Sequence, residues 1–363
     1  MRQRGRFAFW LLVAIAAAAS GYIWWDRART ASEQNLEEGL AGVQPADVEP
    51  LPAVPPTAGL QLHLKTGDIF PLVKTVRETV TQKTGRGSLK SETTVQLVLA
   101  IRVQQVDGDR KRLHVDYRRV KYEQDLAGEV LKYDSAHPPR VLPLEVQAYH
   151  GLVDNGFDFW VGPDNRILKI DGFDEFLKRC VAHVPADLRQ SVMTRFVKTT
   201  GDEGVANFID DSIGLFPNGK APVKAGDQWT RNRQVLRPVP LAMTQKCTLK
   251  KLGDEFAEIE ITGEIVPRSQ AGAWERGFGP SNQPNRGLKL TVTGGKTVGS
   301  CRIRRRSGLP ERSEIHRTYN MIVSYADGRK FEQTKEARTV IEVFTQQGAP
   351  KSISPAATVT RRE

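Results

Sequence analysis

Cysteine is scarce in this chain, with three in 363 residues. Cys180, Cys247 and Cys301 lie too far apart for a zinc knuckle or a CxxC redox pair. Histidine is equally thin. His63, His114, His137, His150, His183 and His316 are scattered without ligand spacing, and His150 with Asp154 is only a lone i, i+4 pair. No serine sits in a nucleophile-elbow spacing. Gly294-Gly295-Lys296-Thr297 resembles the end of a phosphate loop, but position 290 is Leu where that loop needs glycine, and strand-like sequence follows instead of a helix. Long apolar runs are missing too, apart from one at the N-terminus, which excludes a multi-span helical membrane protein. No catalytic residue, metal or cofactor is therefore expected.

The chain has 39 % hydrophobic and 7 % aromatic residues, enough to bury a core, so it is not a disordered chain. Its formal charge is +11. A basic body suits nucleic acid, anionic lipid or a generally basic solvated surface. The densest basic runs are Arg110-Lys111-Arg112, Arg118-Arg119 with Lys121, and Arg302 with Arg304, Arg305 and Arg306. On a strand Arg302, Arg304 and Arg306 would share a face. No aromatic residues interleave them for base stacking, so a solvated strand face is expected and nucleic acid is not. Anionic lipid or an envelope polymer is the better partner for such a face.

The N-terminus reads as a signal-anchor. Arg2, Arg4 and Arg6 form a basic stub over residues 1–6. Residues 7–25 carry no charge and end in Trp24 and Trp25. Nineteen residues at about 1.5 Å each make roughly 28 Å of helix, close to the hydrocarbon thickness. A cleavable signal peptide competes, since Ala17-Ala18-Ala19 offers small residues for cleavage. The apolar run continues past that point, which favours a retained transmembrane helix. The preceding arginines keep the N-terminus inside. The expectation is a single-pass inner-membrane protein with its main domain on the periplasmic side. Residues 26–60 hold five prolines and no periodicity, and read as a disordered linker.

The exported domain is expected over 61–345. Val95, Leu97, Leu99, Ile101 and Val103 alternate with their neighbours, Asp107-Gly108-Asp109 turns, and Leu113, Val115 and Tyr117 alternate on the return. This is an antiparallel hairpin with one wet face. A weaker strand precedes it over 70–82. Short strands flank Gly162-Pro163-Asp164-Asn165. A second strand-rich half holds Ala257, Ile259 and Ile261, a strand over 288–298 broken at Gly294-Gly295, another over 300–306, and the alternating run through Ile315, Tyr319, Met321, Val323 and Tyr325. Residues 346–363 read as a disordered basic tail.

Between the halves lies a helical hub, 171–216. Phe173, Phe176, Leu177 and Cys180 fall at i, i+3, i+4 and i+7. Further helices are expected with Leu188, Val192 and Phe196, and with Phe208 and Ile209, on their apolar faces. Asp202, Glu203, Asp210 and Asp211 could serve as paired carboxylates, but they fall at a helix start and on a polar helix face, where acids are ordinary. Lys65-Thr66-Gly67-Asp68-Ile69-Phe70 is echoed by Lys224-Ala225-Gly226-Asp227-Gln228-Trp229. The expected fold is mainly β with a helical insert (α+β): a curved antiparallel sheet or half-barrel of two pseudo-repeated halves around the helices. In an exported domain Cys180 on a helix and Cys301 on a strand either form a disulfide or remain two buried thiols.

Four stretches carry a resemblance: 148–160 (AYHGLVDNGFDFW), 172–180 (GFDEFLKRC), 201–204 (GDEG) and 210–215 (DDSIGL). They resemble an uncharacterised planctomycete family of anchored or secreted envelope proteins, over roughly residues 61–345. That family's pattern has cysteines matching Cys180 and Cys301 but not Cys247, which favours the 180–301 pairing. It has no established activity, so the resemblance implies location and fold. The shape deduced above is also loosely similar to outer-membrane lipoprotein carriers, which hold acyl chains. The functional expectation is a non-enzymatic envelope binding module for a lipid or other apolar ligand. The alternative is a scaffold whose concavity its own side chains fill, and an enzyme using the four acids ranks last.

Overall fold

A computed structural model describes residues 59–84, 87–163, 165, 167–189, 222–235, 241–266, 268–269, 289–325 and 328–345. Alternating apolar and polar residues, rich in Val, Ile and Thr, favour extended backbone with one face dry. The described residues form thirteen strands in one antiparallel sheet. The first half supplies β1 (Ile69–Thr84), β2 (Gly87–Asp107), β3 (Arg110–Leu126), β4 (Glu129–Asp134), β5 (Gly156–Val161) and β6 (Ile167–Asp171). The second supplies β7 (Gln228–Val235), β8 (Leu241–Leu252), β9 (Phe256–Ile265), β10 (Arg268–Ser269), β11 (Lys289–Arg304), β12 (Pro310–Ser324) and β13 (Lys330–Val343). Helix α1 (Leu144–His150) lies between β4 and β5, and α2 (Phe173–Cys180) follows β6.

The strand order is β6-β5-β3-β2-β1-β13-β12-β11-β9-β8-β7, with β4 added to β3 and β10 to β11. The sheet is open, with β6 and β7 at its edges. The first and last strands, β1 and β13, pair at its middle, from Leu72 opposite Val343 to Gln82 opposite Gln333. Each half therefore meanders in the same direction across the sheet.

The two Lys-x-Gly-Asp stretches fold alike. The Lys65 amide donates to Asp68 Oδ2 (2.7 Å) and the Lys224 amide to Asp227 Oδ2 (2.9 Å). Gly67 and Gly226 take φ of 91° and 94°, a region closed to most side chains. Each turn then docks on the next strand of its own half. Gly67 N–H donates to Val103 O and Val103 N–H to Asp68 O; Gly226 N–H donates to Leu249 O and Leu249 N–H to Asp227 O.

Several elements differ from the sequence reading. β11 is one strand and not two: the Gly294-Gly295 pair makes a register shift after Val292 and the ladder to β12 continues through Arg302 opposite Arg312. The strand ends at Arg304, so Arg306 lies in a turn and does not share the face of Arg302 and Arg304. The wet face of the β2–β3 hairpin is interrupted, because Val98 and Ala100 are buried as well as Leu97, Leu99 and Ile101. Their cross-strand neighbours explain this: Val73 and Pro71 on one side, and the ion-paired β3 segment of Asp116 to Arg119 on the other. The packed residues also include a segment ahead of β1. Leu60, Leu62 and Leu64 are buried in the main core and form a strap. His63 N–H donates to Ser307 O (2.9 Å) and Asn165 Nδ2 to Leu60 O (3.3 Å), so the strap ties the β11–β12 turn to the β5–β6 turn.

Among the described residues no helix is long and apolar enough to cross a membrane. The expected anchor (7–25), the linker up to residue 58, the hub beyond Arg189, the acids Asp202, Glu203, Asp210 and Asp211, and the tail 346–363 lie outside the described residues.

Candidate functional site on the inner face of the sheet

The apolar face of the sheet, its inner face, carries one large core. It runs from Tyr117, Val120 and Phe159 in the first half to Leu249, Ile259 and Ile303 in the second. A smaller cluster of Leu241, Met243, Ile265, Val292, Tyr319 and Met321 continues the same face toward the other end of β8 and β12.

α2 covers one end of this face. Its apolar stripe buries Phe176, Leu177 and Cys180, as the i, i+3, i+4, i+7 spacing predicts. Phe176 stacks on Tyr117 (centroids 5.7 Å) and meets Phe157 (5.1 Å), while Phe173 packs edge-on to Phe157 (5.1 Å). Arg179 anchors the helix, donating through Nε to Asn155 Oδ1 (2.6 Å) and through Nη2 to Gly156 O (3.0 Å). Of the other hub positions expected to face the sheet, Leu188 is half-buried, and Val192, Phe196, Phe208 and Ile209 are outside the described residues. The main helix–sheet contacts are α2 with β5 and α1 with β3.

A polar row crosses the apolar face. Gln124 (β3) stands opposite Thr93 (β2), Thr93 opposite Glu78 (β1), and Glu78 opposite Ala337 (β13). Ala337 is opposite Arg317 (β12), Arg317 opposite Thr297 (β11), and Thr297 opposite Gly263 (β9). Gly263 then faces Gln245 (β8), and Gln245 faces Arg231 (β7). Two residues along most strands the same face is apolar again, with Lys335 and Thr339 on β13 and Ser91 on β2 among the exceptions. Val95, Ile315 and Ile261 lie on one side and Val80, Tyr319 and Met243 on the other. Gln124, Thr93, Thr297 and Gln245 are all buried. Thr297 Oγ1 donates to the Met243 thioether (3.1 Å). Lys335, one step from the row on β13, is 3 % exposed and pairs with Glu78 (2.8 Å). Sequence reasoning missed this row, because its members come from nine strands and only the register aligns them.

All three cysteines are free and buried, so the 180–301 disulfide is not formed here. Burial pushes the Cys180 and Cys301 thiols up to about 12, with Arg179 pulling Cys180 slightly the other way. Such thiols are poor nucleophiles and poor metal ligands at neutral pH. Among the described residues no three His, Cys, Asp or Glu side chains are grouped to hold a metal ion. His150 does not pair with Asp154. Its Nδ1 meets the Tyr133 hydroxyl (2.5 Å), and its ring lies edge-on to His183 (4.8 Å). Burial first, and then the neighbouring His183, lower its pKa.

The arginines of β11 lie on the opposite, outer face, along a groove of about 670 Å³. Arg302 and Arg304 both reach Glu311 (3.3 and 2.9 Å), and Arg302 also lies over the Phe256 ring (3.9 Å). Arg312 pairs with Glu342 and Glu314. This is a paired, solvated face, and its arginines are not arrayed for a polyanion.

A family model matches residues 108–310, more than half of the chain, and with it most of the strands and both helices described above. The chain belongs to the family of unknown function DUF6263. Membership agrees with the expected resemblance to a family without an established activity. No curated protein matches the chain. Among solved structures, lipovitellin, in a study of its lipid–protein interactions, is 10 % identical with a TM-score of 0.43. The match covers 81 % of this chain and 27 % of lipovitellin, so the chain spans about a quarter of that protein. The β domain of the Bordetella autotransporter BrkA is 9 % identical (TM-score 0.20; 76 % and 99 % covered). A putative outer-membrane lipoprotein-sorting domain from Vibrio parahaemolyticus is 9 % identical (TM-score 0.11; 78 % and 88 % covered). These likenesses assign nothing to this DUF6263 chain.

Proposed function

We propose that this chain is a non-enzymatic binding module of the cell envelope, anchored in the inner membrane through residues 7–25, that takes a lipid or other apolar ligand against the inner face of its sheet. The observation that carries the reading is how far the apolar face reaches beyond the strands that α1 and α2 mainly touch. The apolar face extends over β1, β2, β3 and β5 and on through β8, β9, β11, β12 and β13, whereas α1 and α2 lie mainly on β3 and β5. A lipid would lie against β8, β9, β11, β12 and β13, away from the main helix contacts of the described residues. The buried, high-pKa thiols and the ion pairs that Arg302 and Arg304 make with Glu311 favour binding over chemistry. The matched Lys-x-Gly-Asp turns support two repeated halves, and the strap across one end supports a curved sheet. The uncharged run behind three arginines supports a periplasmic main domain.

The second reading is a scaffold whose inner face is filled by its own side chains, as the Phe157, Phe173 and Phe176 cluster fills the α2 end. Mass spectrometry of lipids that co-purify with a chain lacking residues 1–50, isolated without detergent, separates the two. The binding reading expects acyl lipid in near-stoichiometric amount. A preparation with nothing apolar bound leaves the scaffold.

A further inference from the structure

Two amides in the interior of the sheet face are left without partners. Gln245 is wholly buried, and neither its Nε2 nor its Oε1 makes a hydrogen bond. Gln124 is 2 % exposed, and its Nε2 makes none. Buried polar side chains in folded proteins nearly always have partners, and exceptions call for a physical cause such as a site for water or a ligand. A methionine would fill either position with similar volume and no unpaired group. Both amides lie on the one polar row, on β3 and β8, with Tyr122 and Leu126 two residues to either side of Gln124 and Met243 and Cys247 to either side of Gln245. The ionic pair near that row, Glu78 with Lys335, is already formed. The other charged members of the row, Arg317 and Arg231, have interactions of their own. The two amides, by contrast, offer neutral groups without partners: two N–H donors and one carbonyl acceptor.

We infer that this row is the polar subsite of the ligand-binding face, and that its ligand is a neutral acyl lipid. An ester or amide carbonyl accepts from Gln124 or Gln245 Nε2. A hydroxyl or N–H of the same lipid donates to Gln245 Oε1. The acyl chain lies on the apolar rows beside the amides, against residues such as Ile261 and Met243. The assignment rests on the apolar-ligand reading above and adds the depth and chemistry of the head group. A plain hydrocarbon would leave the amides unpaired, and an ionic head group would meet neutral partners.

The test uses the full chain and a photoactivatable monoacylglycerol carrying a diazirine in its acyl chain. Labelling is competed by unlabelled monoolein or by hexadecane. One to two hydrogen bonds at about 1 kcal/mol each give monoolein an advantage of about five- to thirtyfold over hexadecane. Removing the amide that the head group uses, by Gln245→Met or Gln124→Met made separately, cuts that advantage about fivefold or more while hexadecane competes as before; the variant of the other amide, which keeps the advantage, serves as the folding control. Equal competition by the two compounds in the native chain, or a full advantage retained in both variants, overturns the polar subsite and leaves the apolar-ligand reading standing. Absence of any competable labelling overturns both.

Discussion

Lys335 on β13 reaches diagonally across the central strand pair to Glu78 on β1, with Nζ 2.8 Å from Oε1. The lysine side chain is 3 % exposed and the glutamate 20 %. The contact joins the two strands that close the meander, which lie at opposite ends of the described chain. Taking one partner from a buried pair leaves a charge with neither water nor counter-ion, at a cost of about 3–5 kcal/mol. Glu78→Gln takes this counter-charge from the more deeply buried group and should cost most. Lys335→Met leaves a carboxylate that water can still reach and should cost less. The double variant should recover part of the Glu78→Gln loss. Urea unfolding of the three variants measures this, and simple additivity would show that the pair is not coupled.

Position 308 tests the strap. Gly308 has φ 74°, and a Cβ there would lie 2.0 Å from Gln61 O. Gly128 has φ 94° with open space around it. Gly128→Ala therefore carries only the left-handed backbone penalty, about 1–2 kcal/mol. Gly308→Ala carries that penalty and also pushes the strap off, exposing Leu60, Leu62 and Leu64. It should lower the melting temperature clearly more than Gly128→Ala, and Leu62→Ala should cost about 2–5 kcal/mol. Equal losses at 308 and 128 would mean the strap contributes nothing.

The legible parts of the fold were those with short-range periods. α2 shows because Phe173, Phe176, Leu177 and Cys180 fall on one helical stripe, and β9 shows because Ala257, Ile259 and Ile261 alternate with Glu258 and Glu260. α1 does not show, since it has seven residues and buries only Val146. β8 fails for a more informative reason. Its dry face reads Leu241, Met243, Gln245, Cys247, Leu249, and the buried glutamine breaks the apolar alternation at its centre. The feature that hid the strand is the same one that marks the candidate site. Nor does any local signal foretell that β1 pairs with β13, because that contact depends on how both halves close.

The thiols offer a direct check on redox state. Cys180, Cys247 and Cys301 are each 2 % exposed or less. Burial raises the Cys180 and Cys301 thiols to about 12, so almost no thiolate exists at pH 8. The native chain should resist iodoacetamide at pH 8 over hours. In denaturant without reductant all three should be alkylated. Alkylation at Cys247 alone would show that the 180–301 bond forms in the isolated protein.

The outer face sets the acid limit of stability. Burial alone would raise the Glu314 pKa, but hydrogen bonds and charges from His316, Arg338 and Arg312 outweigh it and hold it at about 2. Arg338 Nε donates to Oε1 (2.8 Å), as does His316 Nε2 when protonated there (2.9 Å), and Arg312 Nη2 donates to Oε2 (3.3 Å). A carboxyl whose folded pKa lies below its unfolded value of about 4.3 stabilises the fold fully above that unfolded value. The contribution fades as pH falls and is gone near pH 2. The native chain should therefore lose melting temperature between about pH 4.5 and pH 2, and Glu314→Gln should be less stable at pH 7 yet flatter through that window. The side chain is 24 % exposed, so salt should weaken the effect without abolishing it. Parallel melting curves for the two proteins from pH 7 to pH 2 would refute the assignment, since they would mean that Glu314 titrates alike in the folded and unfolded chains.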